Sequence, residues 1–298
     1  VPVRQAPTRT WSVVLRELLH GVREALDAKP AIGQPARGVA DMSLPTYRIV
    51  VPSRKRPHNM ETIRWLLPSA TIVIDERERA DYAPFVPAEQ LVLHPPFDGL
   101  PRVINWCMEH FQEESLVFSD DDLQGVQCNV GHKRYIVDAE EILAVIENTM
   151  QCCADLRLTC FCWSRTPNTT IIRPDSRPIV PTQLAGSVWG CMGAARKRHY
   201  DEQLTAHAAV DWTLRTLLQD RCIYTDVRYY FDVGRIFSGA GGNVGVVTPE
   251  SYAATTETIL RRWGKHVSFQ PPAFAKKGKR ASSAISIRVS RTNAAAQK

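Results

Sequence analysis

The chain has 298 residues, 44% hydrophobic and 23% charged, which is enough apolar material to bury a substantial core and excludes disorder for most of its length. No apolar run reaches the roughly 20 residues a helix needs to span a bilayer, and the start lacks the basic, apolar, small-residue order of a secretory signal, so the expectation is a cytoplasmic protein without a membrane span. Charge is uneven: from Arg261 onward there are ten Lys and Arg and no Asp or Glu, leaving 27 basic against 31 acidic residues before it, so the formal +6 belongs to the C-terminal segment.

In chain order, Val14, Leu15, Leu18, Leu19, Val22 and Leu26 fall at helical spacing and predict an amphipathic helix over Trp11 to Ala28. A Pro- and Gly-bearing stretch from Lys29 to Pro45 reads as a linker. This divides the chain into residues 1–44, a main domain over 45–260, and a basic segment over 261–298. Tyr47 to Val51 is a short strand, Asn59 to Leu67 a helix, Thr71 to Ile74 a second strand, and Leu91 to Leu93 a third. Leu100 to Phe111 is a helix with Pro101 in its first turn, where a missing N–H costs little. Leu116 to Phe118 is a fourth strand. The alternation predicts a mostly parallel central sheet with helices on both faces, an α/β fold in which ligands sit beyond the carboxyl ends of the strands.

Further along, Asp138 with Glu141 predicts a capping box for a helix presenting Ile142, Val145, Ile146, Thr149 and Met150 on one face. Strands are expected over Leu158 to Trp163, around Val188 to Met192, and over Ile223 to Tyr230. Asp211 precedes a helix over Trp212 to Gln219 and is expected to be its N-cap. The eight cysteines show no CxxC pair and read as buried free thiols; Cys152, Cys153, Cys160 and Cys162 are poorly spaced for zinc.

The strand ends carry the chemistry. Ser53, Arg54, Lys55 and Arg56 follow the first strand, Asp75 ends the second, and Asp120, Asp121 and Asp122 follow the fourth. Hard oxygen ligands at alternate positions, Asp120 and Asp122, suit Mg2+ or Mn2+, whose open positions take phosphate oxygens. The alternative is a solvated acidic turn. Gly239 to Gly245 is a loop whose N–H groups at Gly241, Gly242 and Asn243 can cradle phosphate, but it lacks the Lys of a P-loop.

The order Val50-Val51-Pro52-Ser53-Arg54, Ile74-Asp75, Leu100-Pro101-Arg102 with Asn105, and Val117-Phe118-Ser119-Asp120-Asp121-Asp122 resembles the nucleotide-sugar half of GT-A glycosyltransferases, a Rossmann-type single-domain fold. The layout from about Tyr47 to Tyr252 most resembles the TET-associated glycosyltransferases of bacteriophages. The resemblance implies a metal-dependent hexosyltransferase, using Mn2+ or Mg2+, that moves a sugar from a UDP-linked donor to the hydroxymethyl group of 5-hydroxymethylcytosine in phage DNA inside an infected host. It makes Pro52, Ser53 and Arg54 walls of the base and ribose pocket and puts Asp75 near the uracil edge. Arg102 and Arg56 face the diphosphate, Asp120 and Asp121 the nucleotide-sugar, and Asp122 the metal. It makes Asp211 the general base. The late His that many GT-A enzymes use as a metal ligand has no counterpart after Ile223 to Tyr230. A DNA base would need extrusion, with Trp189, Trp212, Tyr229 and Tyr230 as stacking candidates. A protein or saccharide acceptor, and a non-catalytic nucleic-acid-binding protein, are the competing readings.

Overall fold

Ile49, Val50 and Val51 are all buried, yet Val50 belongs to a different apolar cluster from its two neighbours, as a strand with a core on each face requires. The computed structural model describes residues 44–130, 134–164, 167, 186–233, 242, 246–264, 266–269 and 285–287; the expected N-terminal helix and the run Lys276 to Arg280 lie outside them.

Nine strands make the main sheet: β1 (Tyr47–Pro52), β2 (Thr71–Asp75), β3 (Leu91–His94), β4 (Ser115–Ser119), β5 (Leu123–Cys128), β6 (Arg134–Ile136), β7 (Cys160–Ser164), β8 (Val188–Met192) and β9 (Tyr224–Val233). Their order is β3-β2-β1-β4-β8-β7-β9-β5-β6. The first four pair in parallel, as do β7 and β9, while β8 and β5 oppose their neighbours. Seven of the nine strands therefore share one direction. The helices are α1 (Met60–Leu66), α2 (Arg79–Tyr82), α3 (Leu100–His110), α4 (Ala139–Asp155), α5 (Ala208–Asp220) and α6 (Pro249–Trp263).

One face of the sheet buries Ile49, Ile72, Val117, Phe161 and Trp163 under α1 and α4, through Ile63, Leu66, Ile142 and Met150. The other buries Val50, Val73, Phe118, Trp189 and Cys191 under α3 and α5, through Ile104, Met108, Leu214 and Leu217. The alternation along each strand thus feeds two cores, and the helices cover both faces. Trp163 is held besides by its indole N–H, which donates to Thr149 Oγ1 at 3.0 Å; truncating such a side chain to Ala removes about 3–5 kcal/mol. Gly190, midway along β8, lies against the Phe161 ring, where a Cβ would come within 2.1 Å. Only a residue without a side chain lets that ring cover the strand.

Two local expectations change. Asp138 does cap α4, accepting from Glu141 N at 2.9 Å, but the Glu141 carboxylate goes to Arg134 instead of closing the box. The reciprocal box is at α6, where Thr248 and Ser251 exchange bonds of 3.2 and 2.9 Å ahead of the helix. Asp211 is not an N-cap: α5 starts at Ala208, and its N-cap is His207, with φ +59°. Ile285–Ile287 (β11) pairs with Val267–Phe269 (β10) in a separate antiparallel ribbon. Among the described residues no disulfide joins any of the eight cysteines, and no described helix is long and apolar enough to cross a membrane.

Candidate functional site

The chain leaves β1 through β2 and β3 on one side and returns to β4 on the other. This reversal between β1 and β4 is a topological switch point, where the connections splay and leave a crevice at the carboxyl ends of the strands. Ser53 to Arg56 and Asp120 to Asp122 are the residues placed there.

A short hydrogen-bond chain fixes the two strand ends to one another. Ser53 Oγ donates to Asp121 Oδ2 at 2.7 Å and lies 2.7 Å from the Tyr82 hydroxyl. Ser53 has one proton, so the Tyr82 O–H must be the donor to Ser53. Tyr82 in turn accepts from Arg56 N at 3.0 Å, and burial pushes its phenol up to about 12. Asn59 Nδ2 donates to the Asp121 carbonyl at 3.0 Å. Tyr82 and Asn59 are contributors that the sequence did not reveal: nothing in spacing connects a tyrosine at the end of α2 with a serine 29 residues earlier.

The three aspartates divide the work. Asp121 is buried and turned inward, with Arg56 Nη1 2.7 Å from its Oδ1. Asp122 is partly exposed and lies 3.4 Å from the same guanidinium. Asp120 takes a hydrogen bond from the Ser187 side chain, but burial, followed by the nearby charges of Asp122 and Asp121, pushes its carboxyl up to about 7. Its backbone N–H donates to Ser187 O at 3.0 Å.

Arg54 and Arg56 both meet Gly242. Gly242 N donates to Arg54 O at 2.8 Å, Arg54 Nη1 donates back to Gly242 O at 3.2 Å, and Arg54 approaches Asp98 at 3.8 Å. Gly242 has φ +56°, and a Cβ there would stand 3.1 Å from the Arg56 guanidinium. Both backbone shape and closeness call for glycine. Gly241 and Asn243 lie outside the described residues.

Other expected site residues are engaged elsewhere. Asp75 caps the short 3-10 turn Glu76–Glu78, and both its oxygens are taken by Arg77, at 2.8 and 2.5 Å; that side-chain hydrogen bond outweighs burial and lowers its carboxyl. Arg102 is exposed on the first turn of α3 and pairs with Glu202 at 3.3 Å. Glu202 is also held by Asn105, whose buried amide brackets the Tyr200 backbone with bonds of 2.7 and 3.1 Å. Asp211 is fully buried. Its Oδ2 accepts from Arg215 Nε at 2.8 Å, and its Oδ1 from Arg262 Nη1 at 2.7 Å and Trp263 Nε1 at 2.8 Å. Burial raises this carboxyl, but the bonds from Arg262, Trp263 and Arg215 more than offset it and hold the carboxyl below its ordinary value. That geometry joins α5 to α6 and engages both carboxylate oxygens. Trp189 and Trp212 are core side chains, not stacking surfaces.

The donor set fits a hard divalent cation only in part. Among the described residues no three His, Cys, Asp or Glu side chains converge as a metal cluster, because Asp121 is committed to Ser53 and Arg56. Asp120 and Asp122 remain, a pair suited to Mg2+ or Mn2+ when substrate phosphates complete the shell.

No protein-family model matches the chain, and no curated protein matches it. Solved structures with a related trace include a mannosyltransferase of Pyrobaculum calidifontis in complex with GDP-Man and Mn2+, at 13% identity and a TM-score of 0.43 over 73% of this chain and 62% of that one. TarS of S. aureus in complex with UDP gives 12% and 0.41 over 72% and 64%. Glucosyl-3-phosphoglycerate synthase of Mycobacterium tuberculosis, with Mn2+ and UDP, gives 11% and 0.43 over 80% and 90%. The chain thus spans less than two thirds of the first two, and likenesses of this degree assign neither a family nor a chemistry.

Proposed function

We propose that the chain is a glycosyltransferase of GT-A type that takes its sugar from a nucleoside diphosphate, UDP by the sequence resemblance. The observation that carries this reading is the pairing of a basic β1 end with carboxylates at the β4 end, locked by Ser53 and Asp121 at the β1/β4 switch point. Pro52, Ser53 and Arg54 would wall the nucleoside, and Arg54 and Arg56 are within reach of a diphosphate in the crevice. Asp120 and Asp122 would hold Mn2+ or Mg2+, which offsets the charge on the departing diphosphate. Asp121 fixes the turn that presents them. Gly242, seated on Arg54, would lie at the mouth of the same crevice.

The acceptor we propose is the hydroxymethyl group of 5-hydroxymethylcytosine in phage DNA. It is supported by the layout of the sequence and by the acid-free basic segment from Arg261 onward, which suits phosphate backbones. Thermal unfolding with a panel of nucleotide-sugars, with and without Mn2+, tests the donor half. A donor at 100 times its Kd stabilises by about 2.7 kcal/mol. A melting point unmoved by every donor overturns the reading. Transfer of labelled sugar to hydroxymethylated but not to unmodified oligonucleotide tests the acceptor, and transfer to a saccharide or protein instead corrects it.

A further inference from the structure

Arg56 stands between Asp121, which fixes the turn, and Asp122, one of the two carboxylates proposed to hold a metal. Its Nη1 is 2.7 Å from Asp121 Oδ1 and 3.4 Å from Asp122 Oδ2, and its side chain is only 15% exposed. The first contact is firmly built, because Ser53 holds the other Asp121 oxygen and Asn59 holds its carbonyl. The second is longer, and it falls on a carboxylate that is 23% exposed. Gly242 also comes so near the guanidinium that even a methyl group there would stand 3.1 Å from it. A monovalent cation is therefore packed between a structural carboxylate and a metal-binding one.

We propose, resting on the reading above, that Arg56 is a built-in counter-cation for Asp122: it occupies that carboxylate while the donor is absent, disfavours a free divalent ion, and turns to the diphosphate when nucleotide and metal arrive together. The charges argue for this. A divalent ion at Asp120 and Asp122 would sit within a few ångströms of the guanidinium, and like charges at that range in a partly buried crevice repel strongly. A diphosphate reverses the balance, because its oxygens complete the metal shell and also accept planar, bidentate bonds from an arginine. The protein's own cation would thus keep the site from filling with metal alone and couple metal binding to donor binding.

The test measures Mn2+ binding to the full chain by paramagnetic resonance, with Mn2+ alone and with Mn2+ plus UDP. Wild type should bind Mn2+ alone weakly and gain strongly with UDP. Arg56→Met should bind Mn2+ alone at least tenfold more tightly and gain less from UDP, while Arg56→Lys, which keeps the charge, should bind Mn2+ alone as weakly as wild type. A merely structural role predicts the opposite sign, because a partly unfolded variant binds less metal. Should Arg56→Met fold poorly with Asp121 left unpaired, the double variant Arg56→Met with Asp121→Asn removes both buried charges and must show the same gain. Binding of Mn2+ alone no tighter in the folded variant than in wild type, with UDP-dependent binding intact, overturns the proposal and leaves the donor site standing. Absence of Mn2+ binding to every protein even with UDP overturns the metal site and this proposal with it.

Discussion

Ser53 donates its hydroxyl proton to Asp121 Oδ2 over 2.7 Å, and this bond joins the ends of two strands that are neighbours in the sheet but 68 residues apart in the chain. Ser53→Ala should therefore do more than remove one contact. It leaves a buried carboxylate oxygen and the Tyr82 hydroxyl short of a partner, which costs about 2–3 kcal/mol. Urea unfolding with an unchanged m-value would show it.

Asp122→Asn should abolish turnover, by 100-fold or more on the usual scale for loss of a charge-stabilising group at the reacting centre, while the melting point stays within a degree or two because Asp122 is partly exposed. Excess chelator should reproduce the loss in wild type. Full wild-type activity in chelator would remove the metal from the mechanism.

Asp211→Asn is expected to act on stability. Two arginines and an indole N–H converge on the Asp211 carboxylate, and an amide cannot accept from all of them. Breaking a buried ion pair from one side costs about 3–5 kcal/mol. The checking measurement is the melting curve beside turnover per folded molecule. A variant that keeps its stability and loses turnover would restore the carboxylate as a base.

His207 gives a pH dependence. Burial lowers its imidazole to about 4, against about 6.5 in the unfolded chain. Between these values the unfolded state binds more protons than the folded state, so stability is full above pH 6.5 and falls as pH drops towards 4. Allowing for partial exposure, the loss is on the order of 1–2 kcal/mol. His207→Asn keeps a residue that tolerates φ +59° and should flatten this part of the stability profile relative to wild type.

Replacing Lys276, Lys277, Lys279 and Arg280 by Gln should weaken binding to DNA at low salt, and each lost phosphate contact should flatten the log-log salt slope by about 0.9. Donor binding should not change. Equal rates on hydroxymethylated DNA at every salt concentration would assign DNA contact to the folded domain.

The strands were legible because their apolar residues are continuous: Val50-Val51, Ile72 to Ile74 and Leu116 to Phe118 feed cores on both faces. The hairpin of β5 and β6 was not, since Leu-Gln-Gly-Val-Gln-Cys alternates too weakly for a propensity argument. The start of α5 misled because Asp is a preferred cap, whereas the chain enters that helix through a left-handed His207 that no local preference announces. At the site, the Asp triplet stood out as a motif, but the division of labour within it did not. That division depends on Arg56 and Ser53 folding back onto Asp121, and such tertiary contacts leave no period in the sequence. The partners of Asp211 were equally hidden: Arg262 and Trp263, about fifty residues later, both donate to its Oδ1.

Beneath the Asp triplet, Phe118 stacks on Trp189 at 4.8 Å, and Trp189 packs on Trp212 at 4.7 Å and on Tyr200 at 6.0 Å. This aromatic column begins two residues before Asp120 and is shielded from water, so it forms an intrinsic optical probe anchored on the strand that leads into the Asp triplet. A charge change at the strand end shifts the field across the indoles. Nucleotide binding should therefore move tryptophan emission without any label, and Trp189→Phe should remove most of that signal.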